Sequence, residues 1–445
     1  MFYRIAFGLL LPIVFQNVMS LALQLSDTVM LGLLPSNSEI AISAANLANK
    51  PLFVYQLFIF GIVSGASVLM SQYWGKGDRK TIANIFGIAT TAALSIGTVF
   101  TVVCALFSRE IMSLFSESNE VVRLGSAYLR IVLISYVPTA IITLLYGVMK
   151  STEQVKIPLF INGFSIILNI ILNYFLIFGK CGFPALEVEG AAIATAISKL
   201  TEFVLIIVYI VFFETKLKLK IKNIFGFKKE IIKDFIRYSL PVIINETLWG
   251  LGVTLHAVIL GNIGEEQYAA YSLADIIEQV ALLAAMGFAH SSAIMIGKEL
   301  GSGRRDRAYG YAKTLLTMST LSGLAFASVL LIARHNIINI FNVSDTTKSY
   351  ASAIIVVMFF LIAFKAFNLP CIVGILRGGG DTVTAMLTDF IPMWLVAIPL
   401  GFIASKVWKL PVYYVYAILM CDEALKIGFA IYRVKSKKWI KDITR

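Results

Sequence analysis

Long apolar runs separated by short polar breaks recur along the whole chain. A helix that crosses a bilayer takes about 20 mainly apolar residues, and the runs predict twelve such helices. They lie at about 9–34, 41–73, 82–107, 124–148, 157–179, 190–213, 238–261, 267–296, 308–332, 350–375, 383–404 and 412–433. The polar breaks are short, which leaves no room for a large soluble domain. Composition agrees: of 445 residues 58% are apolar and 14% charged, with a mean hydropathy of +0.83. A soluble chain is nearer a quarter charged, so a soluble globular enzyme is excluded. Up to Asp27 the only charge is Arg4, and no small-residue cleavage site follows a short apolar core. The stretch therefore reads as a first span rather than a cleaved signal.

The formal charge of +12 is informative only once it is divided among the loops. Scored alternately, one set of loops and tails holds 24 Lys and Arg residues and the other holds 7. Cytoplasmic loops collect cations, so both termini are expected in the cytoplasm. Seven lysines crowd between Lys216 and Lys233, a linker expected to lie against anionic lipid rather than nucleic acid. Three histidines and four cysteines follow neither a disulfide nor a zinc spacing.

The linker divides two related halves. Leu11-Pro12 recurs as Leu240-Pro241, and Val29-Met30-Leu31-Gly32 as Val258-Ile259-Leu260-Gly261, both at an offset of 229. Gly75-Lys76-Gly77 meets Gly301-Ser302-Gly303 at 226, and Gly147-Val148-Met149-Lys150 meets Gly374-Ile375-Leu376-Arg377 at 227. Ordered Pro and Gly matches are hard to obtain from apolar composition alone. Six helices per copy leave both copies in one membrane orientation, related by an axis along the membrane normal. The expected fold is an all-α integral membrane protein of twelve transmembrane helices in two six-helix bundles with pseudo-twofold symmetry. Residues 1–215 form the first bundle, 216–237 the basic linker, 238–433 the second bundle and 434–445 a basic tail. Such duplicated architecture points to a transporter.

Ionisable residues inside a membrane are costly, at least ~2.5 kcal/mol each on insertion scales, and mark function. Asp27 lies fifteen residues after Pro12, about 22 Å along a straight helix and nearer the outer end. Pro12, and by the repeat Pro241, supply places where a helix can hinge. Asp27 reads either as a cation-binding switch or as a helix-end acid. The repeat places His256 at the equivalent position, a second proton site or a hydrogen-bonded core residue. Asn169 and Asn173, four apart, share one helix face. They can complete a cavity with Asp27 or glue helices together.

The second half carries Glu246, Asp275, Glu278, Lys365, Asp389, Asp422, Glu423 and Lys426 in apolar runs. Lys365 lies far from water and needs a carboxylate, so a network of Glu246, Lys365 and acids such as Glu278, Asp389 or Glu423 is expected. It serves proton coupling or static ion pairing. Glu423 with Lys426 and Lys199 with Glu202 are i, i+3 pairs that neutralise each other. Glycine-rich Gly75–Lys80 and Gly378–Asp381 lack a preceding strand and phosphate-cradle spacing, so no intrinsic ATPase is visible.

These motifs, in order, resemble the multidrug and toxic compound extrusion transporters. The matches are Leu11-Pro12 with Ser26-Asp27-Thr28-Val29-Met30-Leu31-Gly32, Gly75-Lys76-Gly77, Asn169 to Asn173 followed by Gly190-Ala191-Ala192-Ile193-Ala194-Thr195, Leu240-Pro241, Gly297 to Gly303, and Leu376-Arg377-Gly378-Gly379-Gly380-Asp381-Thr382. The resemblance implies a V-shaped cavity between two bundles. It also implies export of organic, often cationic or aromatic compounds in exchange for protons or sodium ions, by alternating access. It assigns the coupling ion, a proton or Na+, to Asp27, with Asn169 and Asn173 as companions. Asn173 stands where some branches carry an aspartate, and Lys365 lies beside the position, Ala366, where some carry a sodium-binding aspartate. Asn17, Gln24 and Asn245 become candidates for lining the substrate cavity.

The expected protein is a secondary antiporter of the bacterial inner membrane, a monomer without cofactor or structural metal. Its partners are a small organic substrate and the lipid bilayer, with no nucleic acid. A flippase for lipid-linked oligosaccharides shares the bundle plan but usually carries extra helices and an arginine-lined cavity. An intramembrane lipid-modifying enzyme would cluster its acids or histidines at one interface, whereas His256, His290 and His335 are scattered.

Overall fold

The apolar runs fold as helices because, in hydrocarbon, every backbone N–H and C=O must be satisfied within its own segment. The computed structural model describes residues 2–34, 38–217, 221–341 and 343–445. Lys218 and Lys220 of the basic linker lie outside the described residues. Among the described residues there is no strand, and eleven helices are long and apolar enough to cross a membrane. We number them α1 (Phe2–Gly32), α2 (Ser38–Lys76), α3 (Arg79–Leu106), α4 (Asn119–Ser151), α5 (Lys156–Phe178), α6 (Glu187–Phe213), α7 (Lys229–Gly261), α8 (Glu265–Gly301), α9 (Arg305–Asn339), α10 (Asp345–Leu376) and α11 (Thr382–Lys406). The twelfth run forms α12, broken at Met420 into Val412–Leu419 and Cys421–Lys435. The break falls just before the acidic pair Asp422-Glu423, so the most charged of the predicted spans is two short helices. Pro12 and Pro241 lie inside α1 and α7 without ending them. In α10 and α11 the ladder widens into π turns at Pro370–Leu376 and Met393–Ala397, beginning at or just after a proline that cannot donate.

The chain forms two compact units, Phe15–Ser67 with Arg79–Phe235, and Met1–Val14 with Val68–Asp78 and Ile236–Arg445. In the former, Tyr55 of α2 stacks on Tyr136 of α4 with ring centroids 5.1 Å apart, and its hydroxyl donates to the Tyr136 carbonyl at 2.9 Å. The basic linker is pinned here rather than merely solvated. Buried Asn84 of α3 donates to the carbonyls of Asn223 (3.3 Å) and Gly226 and accepts from the Lys228 N–H at 3.4 Å.

In the latter unit, the end of α2 meets the end of α8 at backbone distance. A Cβ on Gly75 would overlap the Lys298 carbonyl, and one on Gly301 the Gln72 carbonyl. These obstacles are backbone, which cannot rotate away. Gly301→Ala is therefore expected to destabilise the protein by about 1–3 kcal/mol, the cost of overpacking, read as a lower thermal unfolding temperature in detergent. Gly310→Ala, where a Cβ meets nothing within 4 Å, serves as the unaffected control.

The carboxy-terminal tail folds onto this same junction. Trp439 is fully buried against Gly379, with its indole N–H donating to the Val434 carbonyl at 3.1 Å. Gln72 Nε2 donates to the carbonyls of Gly378 and Lys441, both at 3.1 Å, and its Oε1 accepts from the Ile443 N–H at 3.0 Å. Asp381, 2% exposed, accepts from Arg433 Nε and Lys441 Nζ, each at 2.6 Å. Burial works to raise the Asp381 carboxyl, but hydrogen bonds from Arg433, Lys441 and Thr384 outweigh it and hold it below its ordinary value of 3.8. A depressed carboxyl stabilises the fold above its unfolded value, and that stability is lost as pH falls through the folded value. Amide exchange in 436–445 is thus expected to stay slow down to about pH 4 and rise below it, whereas Asp381→Asn exchanges faster at neutral pH.

Candidate functional site

Asp27 lies near the end of α1 in the company of two helices. Asn173 Nδ2 of α5 donates to Asp27 Oδ1 at 2.6 Å and to Asn169 Oδ1 at 2.9 Å, and Asn169 Nδ2 reaches Thr195 Oγ1 of α6 at 3.4 Å. With its amide turned over, Asn169 places its nitrogen 3.2 Å from Asp27 Oδ1 and its oxygen 3.3 Å from the Thr195 N–H. Asn169 and Asn173 are 2% and 0% exposed. The i, i+4 spacing aims both amides the same way. Gly190 brings α6 close enough to deliver Thr195, for a Cβ there would lie 2.6 Å from the Leu176 carbonyl. Asn173 Oδ1 is buried without a hydrogen-bond partner. A buried amide oxygen of this kind is an acceptor held ready for a donor or a cation. On the same helix as Asp27, Gln24 is exposed and Asn17 half-buried, and neither joins these hydrogen bonds.

The polar stripe continues along α5 through Asn162 and Ser165. It ends at Glu202 of α6, fully buried, which accepts from Tyr146 OH (2.8 Å), Asn162 Nδ2 (3.0 Å) and Lys199 Nζ (2.8 Å). The i, i+3 pair expected from the sequence is formed. Three donors on one carboxylate make this a satisfied ion pair that ties α4, α5 and α6 together.

The other unit holds a denser group of charges. Lys365 of α10 pairs with Glu278 of α8, whose second oxygen accepts from Tyr416 OH at 2.6 Å. Lys426 of α12, 3% exposed, faces Asp422 at 2.7 Å, Glu423 at 3.2 Å and Asp389 of α11 at 3.3 Å. Asn245 Nδ2 of α7 donates to Asp389 at 3.0 Å, and Asn368 Nδ2 of α10 to Glu423 Oε2 at 2.7 Å. Three carboxylates share one ammonium, and Asp422 Oδ1 is buried without a partner. Such a centre has surplus negative charge that a proton or cation would neutralise. The pairing of carboxylate with amide between first and fifth helices recurs between seventh and eleventh with the roles exchanged. There the amide, Asn245, is on the first helix and the acid, Asp389, on the fifth.

The expected single network is divided. Glu246 does not meet Lys365; it pairs with Arg377 at the end of α10, both almost fully buried. His256 is 2% exposed, and neither ring nitrogen has a hydrogen-bond partner, so the repeat equivalent of Asp27 makes no equivalent bonds. Among the described residues no cluster of His, Cys, Asp and Glu could hold a metal in the manner of a structural site.

In each half of this duplicated helical chain, an amide of one helix thus donates to an acid carried on another membrane-spanning helix, Asn173 to Asp27 and Asn245 to Asp389. Comparison with known proteins identifies the family. The family model described as MatE matches residues 12–175 and 241–403, most of both halves. The chain belongs to the MatE family. It is a multi-pass membrane protein and a secondary transporter, not an enzyme. The "Probable multidrug resistance protein NorM" of Thermotoga maritima is 25% identical over 438 residues, covering 97% of this chain and 92% of the relative. The "Uncharacterized transporter YisQ" of Bacillus subtilis is 24% identical, covering 98% and 94%. Among solved structures, a point mutant of the Vibrio cholerae MATE transporter VcmN superposes with a TM-score of 0.89 at 15% identity, covering 99% of this chain and 98% of that one. A structure described as MATE in the bent conformation superposes at 0.87 with 16% identity, covering 98% and 96%. These similarities show the twelve-helix, two-bundle fold for this MatE transporter.

Several residues of the two centres escape a reading by sequence. Thr195 lies in an Ala-rich stretch of α6 and is marked only as the last residue of the Gly190–Thr195 match. Arg377 looks like a loop cation because three glycines follow it, yet it is 2% exposed. Tyr416 and Asn368 are single polar groups in apolar runs, with no spacing to mark them.

Proposed function

We propose that this MatE transporter exports organic, often cationic or aromatic compounds in exchange for protons or sodium ions by alternating access, with Asp27 as the coupling site. The observation that carries this is the hydrogen-bonded set of Asp27, Asn173, Asn169 and Thr195, with one buried amide oxygen left unpartnered. The Asp27 carboxylate, held here by the Asn173 N–H, is the group that takes a proton; with an amide turned over, its oxygen beside that carboxylate would suit a hard cation. The names of relatives, "Probable multidrug resistance protein" in Thermotoga and Bacillus, support a multidrug substrate range. The charged centre around Lys426 supplies a second cation-responsive group, in which Asp389, Asp422 and Glu423 hold more negative charge than Lys426 balances. The pair of Glu246 with Arg377 and that of Glu278 with Lys365 fix the surrounding helices. Residues 1–215 and 238–433 act as the two bundles, with the lysine-rich loops and both termini on the cytoplasmic side of an inner membrane.

Transport by purified protein in liposomes tests this. With a proton gradient alone, or a sodium gradient alone, a fluorescent organic cation is expected to move against its own gradient with one of the two ions. Downhill leakage alone under both gradients contradicts the proposal.

A further inference from the structure

At the end of α9 remote from the Arg304–Arg307 turn, a cavity of about 410 Å³ opens against the first turns of α10. Arg334, His335 and Lys348 line it, with Asp345 among the lining residues. Arg334 Nη1 donates to the Leu331 carbonyl at 3.0 Å, whereas its Nε is buried without a hydrogen-bond partner. A guanidinium carries five donors in a rigid fork, and a buried donor left unmatched is costly. The Lys348 ammonium is 3.9 Å from the Asp345 carboxylate, which is fully exposed to solvent. Such a surface pair binds weakly and leaves the ammonium available. Two cations and a histidine thus share this cavity with one solvated acid.

The location sharpens this. The loops on this side of the protein hold only 7 of the Lys and Arg residues scored, and two of them, Arg334 and Lys348, line one cavity. Positive charge is placed here against the general bias of a membrane protein. The cavity is also amphipathic. Ile338 and Val356 line it, and one turn beyond Val356 lies Phe360, 58% exposed on a membrane-spanning helix. An anion clamp at the end of two spans, continued by an exposed apolar strip, has the two-part chemistry of a phospholipid. Arginine matches phosphate oxygens through two parallel N–H donors, and lysine adds a point charge.

We propose that this cavity binds the phosphate diester of a phospholipid headgroup, an anionic one in preference to a zwitterionic one, with acyl chains lying along Val356 and Phe360. The site is separate from Asp27 and from the Lys426 centre, and it does not depend on which ion drives transport.

The test uses the full-length protein, delipidated in detergent, with three probes: phosphatidylglycerol, phosphatidylcholine and inorganic phosphate. Native mass spectrometry reads the lipid retained. Phosphatidylglycerol is expected to bind about tenfold more tightly to the wild type than to R334Q/K348Q, the loss of charge-assisted phosphate contacts. K406Q/K409Q, which removes two cations of the same side outside the cavity, is expected to bind as the wild type does. Equal retention by R334Q/K348Q and wild type overturns the proposal. Equal retention of phosphatidylcholine overturns the anionic preference, and protection by inorganic phosphate at the same concentrations overturns the lipid and leaves a soluble-anion site. Thermal unfolding without lipid checks that the double variant is folded. K348Q alone, at a partly exposed position, keeps the test decisive, with an expected loss of about threefold and no loss as the contrary result.

Discussion

Asp27→Asn is expected to abolish ion-driven export while leaving a folded protein in the membrane. The substitution is nearly isosteric and exchanges one hydrogen bond to a carboxylate, from Asn173 at 2.6 Å, for a neutral one. That difference is about 1 kcal/mol, too little to unfold a bundle of twelve helices. What it removes is the one group in the Asp27–Asn169–Asn173–Thr195 set that can change charge. Uphill movement of substrate should fall at least about tenfold, to the level of empty liposomes, because without differential cation binding nothing ties substrate movement to the ion gradient. Asn173→Ala, which keeps the carboxylate and deletes its principal donor, should leave slower transport that needs a steeper gradient. A D27N protein that concentrates substrate as fast as the wild type removes Asp27 from the mechanism.

The second large effect lies at Lys426. It is 3% exposed and is the only cation within ion-pair distance of Asp389, Asp422 and Glu423 among the described residues. Lys426→Met leaves the buried carboxylate of Asp422 and the partly buried ones of Asp389 and Glu423 without their shared cation. Removing one partner of a buried ion pair costs about 3–5 kcal/mol, because the other charge stays behind uncompensated. The expected result is a sharply lower yield and unfolding temperature. The double variant K426M/D422N removes one of the stranded charges and should recover part of the loss, a coupling that a double-mutant cycle measures. Equal instability of the single and double variants would mean that packing of the lysine stem, not charge balance, is what matters there.

How much of this was legible beforehand depended on whether the signal was local. Apolar runs are long and unmistakable, so each span could be read from its own residues. Only α12 differs, broken at Met420 beside Asp422 and Glu423. Asn169 and Asn173 are four apart and had to share a face, and the bond to Asp27 followed from one further contact. Pairings between distant helices were less accessible. Glu246 and Lys365 both lie in apolar runs, but which acid a buried lysine meets depends on helix rotation and depth. Neither is written in hydropathy. The π turn at Pro370–Leu376 ends α10 just before Arg377, which is carried to Glu246 and leaves Lys365 for Glu278. The tail was hidden for a similar reason. Five cations in its composition suggest a solvated segment, yet Trp439 fits over Gly379, a position where any larger residue would collide with the indole. A single glycine and a single tryptophan, far apart in sequence, decide that contact.

Substrate-evoked ion movement tests the coupling most directly. Proteoliposomes containing the purified protein, with no ion gradient imposed, receive an organic cation on one side while internal pH and internal sodium are recorded. The wild type should move protons or sodium ions opposite to the substrate, and the D27N protein should move neither. Substrate crossing the membrane in the wild type with no accompanying ion movement would contradict the assignment of Asp27 as a coupling site.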